Sequence, residues 1–213
     1  MVSTADTFRI ATYAAPLSRA GPGILLRDIQ KGEDAQIAAI ADVVRRVSPD
    51  VLVLTDIDYD LDGIALGAFA DLVNAGYVYR FAGPTNAGMP TGLDADGNTR
   101  LGEARDAQGY GDFSGDGGIA VLSRVAIGPV TDFSPLLWRD LPGAVLPEGE
   151  PDAVASVQRL SSTGHWRVPI ETPNGVLTLM ASSHTPPVFD GPEDRNGLRN
   201  RDELRLWEAV LDG

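Results

Sequence analysis

The alternation of apolar and polar residues along the chain predicts strands and helices in turn. Phe8–Tyr13 alternates between the two types, which is the period of a strand with one buried face. From Asp34, the predicted N-cap, apolar residues recur on one face of a helix that ends at Ser48–Pro49. Val51–Leu54 is an unbroken apolar run, typical of a strand buried on both faces. A second helix is predicted from Ile64 to Ala75, with Gly76 as its terminator and inward residues Leu66, Phe69, Leu72 and Val73.

The second half of the chain is predicted to contain more strand than helix. Residues 77–81 fit a further strand, and residues 83–118 form a long Gly-rich loop whose glycines suit either a ligand site or flexibility. Residues 118–123 are a second buried strand, to which residues 130–133 are predicted to pair. A meander of three strands and a last helix complete the prediction: strands at 156–160, 166–170 and 176–181, a turn at 173–175, and a helix from Leu198 to Leu211 that buries Leu204, Trp207, Val210 and Leu211.

Composition indicates a globular protein and narrows its chemistry. Of the 213 residues, 43% are hydrophobic and 22% are charged. There is no cysteine, which excludes disulfides, thiol catalysis and Cys-ligated zinc, and two histidines are too few for a three-His zinc site. The net charge of −13 disfavours a long nucleic acid as partner, because its phosphates would be repelled. A divalent cation could nevertheless bridge acidic side chains to a phosphate ester.

The sequence predicts no membrane span, because it contains no apolar run of about 18 residues. Met1–Thr7 lacks the basic start and apolar stretch of a signal peptide, although such a peptide could have been removed beforehand. We therefore expect a soluble protein, either cytoplasmic or secreted after signal removal. The oligomeric state stays open.

Two predicted strand ends carry the candidate chemistry. Asp56 follows a buried strand and Asp58 alternates with it, so both carboxylates are expected at a sheet edge, where a hard divalent cation could bind oxygen ligands. His184 ends another strand just before Pro186–Pro187, which cannot continue the sheet. His165 lies at a strand start. Acidic residues and imidazoles suit phosphoryl transfer. The alternatives are a solvated acidic loop and histidines without a role.

Other motifs are weaker. Asp94–Asn98 has the opening of a calcium loop, but the twelfth position is Arg105 rather than an acid, and a plain polar turn explains the segment as well. The glycines of residues 109–118 are not a P-loop, because neither a helix nor a Lys-Ser/Thr pair follows them. A Ser-His-Asp hydrolase is disfavoured, because no Gly-x-Ser-x-Gly elbow occurs between a strand and a helix.

Several segments together resemble the endonuclease/exonuclease/phosphatase superfamily, the group of enzymes similar to pancreatic deoxyribonuclease. The resemblance covers most of the chain and rests on residues 8–13, 49–56, 118–124 and 179–184, with residues 161–166 and 185–196 the most specific. It implies one domain over residues 1–213 with a four-layer α-β-β-α sandwich of two mixed sheets, in which the C-terminal strands of the family are missing.

The resemblance also implies a phosphodiesterase or phosphomonoesterase site that uses Mg²⁺ or Mn²⁺, with Ca²⁺ as the alternative ion. Asp56 stands where the family has a Glu ligand, and Ala14 stands where it has a metal-site Asn. The family's later Gly-Asp-x-Asn and Ser-Asp-His motifs do not occur. The residues expected at the site are Asp56 and Asp58 for the metal, His184 and His165 for catalysis, and Tyr110, Asp190, Arg195 and Asn196 for the substrate.

We therefore expect a metal-dependent hydrolase of phosphate esters, of which this chain alone is weakly active or inactive. The alternative is a non-catalytic module that keeps the fold and binds a ligand or partner through residues 83–118 and 141–152.

Overall fold

The computed structural model describes residues 7–213. Residues 1–6, which belong to the segment considered above as a signal peptide, lie outside the described residues. The strands are β1 Ile10–Leu17, β2 Val51–Ile57, β3 Tyr79–Ala82, β4 Gly118–Ser123, β5 Thr131–Asp132, β6 Gly164–Thr172 and β7 Gly175–Ser183. The helices are α1 Ile24–Lys31, α2 Ala35–Val47, α3 Ile64–Val73, α4 Asp152–Ala155 and α5 Arg195–Asp212. None of the helices in this part of the chain is long and apolar enough to cross a membrane.

The strands form two sheets. In the first, with the order β1-β2-β4-β3, β1 is parallel to β2 and the other pairs are antiparallel. The second, with the order β5-β6-β7, is antiparallel throughout. Helices α1, α2 and α3 bury apolar side chains against the first sheet, and α5 lies on the outer face of the second, where Trp207 contacts His165. The predicted order of four layers, helix, sheet, sheet and helix, is confirmed.

The two sheets meet in an apolar core built around the indole of Trp166. This ring is buried and packs edge-on against Phe81 with ring centroids 5.0 Å apart. Gly83 and Gly164 lie on it so closely that a Cβ at either position would come within 3.2 Å of the ring. The inter-sheet core therefore fixes how the ends of the two sheets lie relative to each other.

The strongest local patterns gave the right elements. Asp34 is the N-cap of α2, and its carboxylate accepts hydrogen bonds from the main-chain N–H groups of Gln36 and Ile37. The apolar runs form β2 and β4 at the centre of the first sheet, and the predicted turn at residues 173–175 joins β6 to β7.

Other expectations were wrong. Helix α1 was not predicted, and β1 continues to Leu17. The predicted strand at residues 156–160 is absent, with one isolated bridge between Leu137 and Arg159 in its place. Strand β5 pairs with β6 rather than with β4, because residues 125–130 cross between the sheets and place Val125, Ile127 and Val130 in their common core. Leu72 was expected to face inward but is largely exposed.

The buried face of α5 is polar rather than apolar. Leu204 and Leu211, which were expected to be buried, are 52% and 69% exposed. The buried residues are instead Arg199, Asp202, Glu203 and Leu206. Three of these four are charged, so the helix is attached by hydrogen bonds to loops more than by apolar contact.

The long segment between β3 and β4 is packed through its glycines. A Cβ on Gly109 would lie 1.8 Å from the carbonyl oxygen of Ser162, and one on Gly88 would lie 1.8 Å from that of Phe113. These glycines therefore allow main chain to approach main chain. Neither flexibility nor a ligand is needed to explain them.

This packing predicts that Gly109→Ala destabilises the protein, by about 1–3 kcal/mol or more, because the added methyl group overlaps a main-chain oxygen. The matched control is Gly21→Ala, where the methyl group would meet only the tip of Ile24 at 3.5 Å. Urea unfolding of the two variants measures the difference. Equal stability of the two would show that the loop does not pack as described.

Candidate functional site

Three aspartates gather where β2 ends beside the start of β4. Asp56 has φ of 64° and lies at a shift in the pairing register between Thr55 and Ile57, so it is the extra residue of a β-bulge. Bulges of this kind turn a side chain out of the sheet, and Asp56 is exposed. Asp58 is buried, and Asp116, on the chain before β4, lies close enough for its charge to act on both Asp56 and Asp58. We call Asp56, Asp58 and Asp116 the acidic rim.

Hydrogen bonds from the end of β1 organise the acidic rim. The Asp58 carboxylate accepts the main-chain N–H groups of Arg19 at 2.9 Å and Gly117 at 3.3 Å. Asp116 accepts the hydroxyl of Ser18 at 2.7 Å. The ends of three neighbouring strands therefore converge on these carboxylates.

The surroundings of the acidic rim raise the pKa values of Asp56 and Asp58. Burial raises the pKa of Asp56, the negative charge of Asp116 raises it further, and Arg19 opposes the shift. Burial also raises the pKa of Asp58, against the hydrogen bonds that it accepts. Partly buried carboxylates that repel each other are stabilised by a cation, and an all-oxygen donor set suits a hard divalent ion.

The second candidate group is a pair of stacked imidazoles. His165, on β6, and His184, directly after β7, have ring centroids 5.2 Å apart and an interplanar angle of 18°. His165 has no exposed surface. Its Nδ1 lies 2.9 Å from the hydroxyl of Ser161 and its Nε2 lies 3.0 Å from the carbonyl oxygen of Glu203. Burial lowers the pKa of His165 to about 4, and His184 adds to the shift. His165 is therefore placed to support His184, not to meet a ligand.

His184 is half-buried and is held by one ring nitrogen. Its Nε2 lies 2.8 Å from the hydroxyl oxygen of Ser182, to which Trp207 donates its indole N–H at 2.9 Å. Burial lowers the pKa of His184, and the Glu203 carboxylate opposes this shift. The neutral imidazole is therefore the favoured form near neutral pH.

Glu203 on α5 ties this pair to the protein. Its side chain is completely buried. One carboxylate oxygen accepts the N–H and the hydroxyl of Ser162, both at 2.7 Å, and the other accepts the N–H of Thr185 at 2.7 Å. Since Thr185 follows His184, this carboxylate holds the chain on which the imidazole sits.

Arg199 lies one helical turn before Glu203 and is also buried. Its guanidinium donates to four main-chain carbonyl oxygens, those of Gln108, Arg159, Leu160 and Ser161. Burial lowers the pKa of Arg199 to about 10, so the group stays charged at neutral pH. Neither Glu203 nor Arg199 was expected at the site, because a charged residue in a helix is usually solvated.

The acidic rim and the imidazole pair lie at the same end of the sandwich. A Cβ added to Gly118, at the start of β4, would lie 3.5 Å from the Cβ of Thr85, and the hydroxyl of Thr85 donates to the carbonyl of Thr163, which precedes β6. Within residues 7–213 no hydrogen bond joins His184 to an aspartate of the rim. The pKa of His184 is set by burial and Glu203.

The residues expected to bind substrate are mostly engaged elsewhere. Arg195 pairs with Glu150, donates to Gln158 at 3.0 Å, and lies over the ring of Trp138. Asp190 and Asn196 bond to each other at the start of α5: the carboxylate of Asp190 accepts the main-chain N–H of Asn196. Tyr110 is 74% exposed on the loop before β4.

A second acidic cluster lies on the loop between β3 and β4. Carboxylate oxygens of Asp94, Asp96 and Asp106 come within 4.8 Å of one another, close enough to hold a metal ion. Asp106 follows Arg105, the position at which a calcium loop would end, and so was missed from the sequence. Asp106 already accepts the N–H groups of Ala95 and Glu103.

Two facing sheets with helices on both outer sides, and polar groups at the strand ends, define an α/β sandwich of the deoxyribonuclease I-like class. The chain belongs to the Endonuclease/Exonuclease/phosphatase family, whose family model matches residues 29–212. This membership supports a hydrolase of the phosphoesterase type in general. None of the curated proteins matches the chain.

Two solved structures are similar to the chain. The endonuclease/exonuclease/phosphatase from Beutenbergia cavernae DSM 12333 is 20% identical with a TM-score of 0.54, and the match covers 96% of this chain and 43% of that one. Sphingomyelinase C from Streptomyces griseocarneus is 17% identical with a TM-score of 0.51, and the match covers 96% of this chain and 58% of that one. The chain thus spans less than two thirds of either, and the likeness concerns the fold.

Because the buried Glu203 carboxylate accepts three hydrogen bonds from the protein, Glu203→Gln should lower the free energy of unfolding by about 1.5–3 kcal/mol. The amide group would turn a donor toward either Ser162 or Thr185. Glu208→Gln, an exposed position on the same helix, is the control and should cost little. Urea unfolding checks both, and equal effects would contradict the role given to Glu203.

Stability should also depend on the protonation of His165. In the unfolded chain the pKa of this group is near its ordinary value of 6.5, and in the folded protein it is about 4, so the unfolded state binds more protons between these values. The contribution is fully present above pH 6.5 and is lost as pH falls through 4. When the pH is lowered from 7.5 to 4, the free energy of unfolding of the wild-type protein should fall by about 3 kcal/mol more than that of a His165→Gln variant. Urea unfolding at each pH measures this difference, and an equal loss of unfolding free energy in the two proteins would contradict the prediction.

Proposed function

We propose that the protein hydrolyses phosphate esters with a divalent cation held at the acidic rim and with His184 hydrogen bonded to the phosphate. The observation that carries this proposal is the bulge at Asp56, which turns an exposed carboxylate out beside Asp58 at the end of the sandwich that also holds His184. Membership of the phosphoesterase-type family supports the same reaction class.

The acidic rim fits Mg²⁺ or Mn²⁺ better than a softer ion, because every donor is a carboxylate oxygen. Asp56 and Asp58 would hold the cation, and Asp116 would add a third negative charge. A bound cation would supply positive charge against the oxygens of the phosphate. Ca²⁺ is the alternative ion, and for it the cluster Asp94, Asp96 and Asp106 is the competing location.

The chain's own residues position the substrate. The charge of Arg19 acts on Asp56, but its guanidinium is paired with Asp28 and Asp34. We assign to His184 the hydrogen bond to a phosphate oxygen, with His165 stacked behind its ring. Such a hydrogen bond lowers the barrier when it strengthens as charge develops on the oxygen.

The proposed activity is weak. Ala14, on β1 beside Thr55 of β2, has no oxygen side chain to offer at the position where the resemblance expects an Asn ligand. The cation would therefore be held by fewer protein ligands, which lowers its affinity.

A direct assay is hydrolysis of bis(p-nitrophenyl) phosphate and p-nitrophenyl phosphate with Mg²⁺, with Mn²⁺ and with a chelator. We expect slow, metal-dependent release of nitrophenol, which falls about 100-fold in His184→Ala, the size of the contribution of one hydrogen-bond donor to charge that develops in the transition state. Asp56→Asn should abolish the increase in rate that the metal produces, because the substitution removes an exposed carboxylate ligand. Asp71→Asn, an exposed acid on α3, is the control with unchanged activity.

Calorimetric titration with Mn²⁺ separates the two acidic clusters. Binding that is lost in Asp56→Asn and kept in Asp94→Asn supports the acidic rim, and the reverse result moves the metal to the loop. Hydrolysis that is unchanged by the chelator, by Asp56→Asn and by His184→Ala would overturn the proposal. A protein with neither metal binding nor hydrolysis would be the non-catalytic module.

A further inference from the structure

We infer that Ser182 and Trp207 are positioning residues that fix His184 as the neutral tautomer with its proton on Nδ1, so that the side chain offers an N–H outward. The inference rests on the proposed function only for the identity of the group that receives this N–H, a phosphate oxygen.

The hydrogen bonds of the Ser182 hydroxyl favour one tautomer of His184. An indole N–H can only donate, so Ser182 accepts from Trp207 at 2.9 Å and keeps its own hydrogen for another acceptor. Within the described residues the one acceptor bonded to this oxygen is Nε2 of His184, at 2.8 Å. A ring nitrogen that accepts carries no proton. We therefore assign the proton of the neutral His184 ring to Nδ1, the arrangement in which the hydroxyl hydrogen of Ser182 has an acceptor within the protein.

That Nδ1 is available to a ligand. It has no hydrogen-bond partner within residues 7–213, and it is not one of the buried polar atoms that lack a partner there. Since His184 is partly exposed, we infer that this nitrogen reaches solvent. A buried unpaired N–H would cost about 1–3 kcal/mol, whereas an accessible one can donate to water or to a ligand oxygen.

The stacked His165 carries the opposite tautomer. Its Nε2 lies 3.0 Å from the main-chain carbonyl of Glu203, and a carbonyl only accepts, so this nitrogen is protonated. Its Nδ1 accepts the hydroxyl of Ser161. The protein therefore contains two neutral imidazoles, one of each tautomer, face to face at 5.2 Å.

The groups packed around His184 keep it neutral. A proton added to Nε2 would turn the Ser182 hydroxyl away and leave two N–H groups donating to one oxygen. His165 faces the ring from β6, and a positive charge on both rings would be repulsive. From α5, Glu203 is the opposing negative group, but its oxygens are already bonded to Ser162 and Thr185, and Arg199 lies next to it. His184 thus acts as a hydrogen-bond donor, not as an imidazolium.

The ¹⁵N-labelled protein tests this directly, because it contains only two histidines. Long-range ¹H–¹⁵N correlation spectra near pH 7.5 distinguish the tautomers, and a His165→Gln sample assigns the signals. We expect one histidine of each tautomer, with His184 protonated on Nδ1. A wild-type spectrum in which His184 is protonated on Nε2, or on both nitrogens, overturns the inference without any variant at Ser182.

Variants test the positioning role. Ser182→Ala should release His184 into a mixture of tautomers and raise its pKa by about half a unit to one unit, the equivalent of one hydrogen bond. Ser182→Thr keeps the hydroxyl and should restore the wild-type spectrum, and Ser183→Ala on the same strand is the control. Trp207→Phe should change the tautomer populations of His184 in the same direction as Ser182→Ala, but by a smaller amount. An unchanged His184 spectrum in Ser182→Ala would overturn the role of Ser182.

These spectra need no substrate, so the two proposals can fail separately. The expected tautomers in a protein that hydrolyses nothing would defeat the proposed function and keep this inference. Metal-dependent hydrolysis by a protein whose His184 is protonated on Nε2 would defeat the inference and keep the proposed function.

Discussion

The Glu203 side chain has no solvent-exposed surface, and its carboxylate accepts three hydrogen bonds from the protein. Burying a carboxylate costs several kcal/mol unless donors compensate it. The donors come from Ser162, before β6, and from Thr185, after β7. The same helical residue receives His165 on its main-chain carbonyl. One buried charge therefore joins α5 to both ends of the hairpin, and the position of His184 follows from it.

The two outer helical layers are held by different forces. Helices α1 to α3 bury apolar side chains against the first sheet, and their attachment is ordinary hydrophobic packing. Helix α5 packs Leu206 in a small apolar cluster with Trp138 and Leu160 but also buries charged residues, of which Arg199 satisfies four carbonyl groups from the loops around it. Polar contacts of this kind are directional, so they fix the helix and the loops in one arrangement. Such an arrangement suits an imidazole whose ring nitrogens each need a defined partner.

Sequence patterns predicted the structural features that depend only on residues close together along the chain. The apolar run of β2, the N-cap at Asp34 and the hairpin of β6 and β7 are local features, and they placed Asp56 and His184 at strand ends. The polar face of α5 could not be read in the same way, because periodicity counts apolar residues and Arg199 looks solvated. The approach of Asp116 to Asp56 depends on how β4 pairs with β2, which no local pattern contains.

The two halves of the candidate site belong to different sheets. The acidic rim is built on strand ends of the first sheet, and the imidazoles on the second sheet and α5. Their separation is therefore set by the inter-sheet core, where Gly83 and Gly164 let main chain lie directly on the ring of Trp166. A larger residue at either glycine would push the sheets apart. In the proposed function a phosphate has to reach both halves at once, so the glycines around Trp166 matter for the site although they lie in the core.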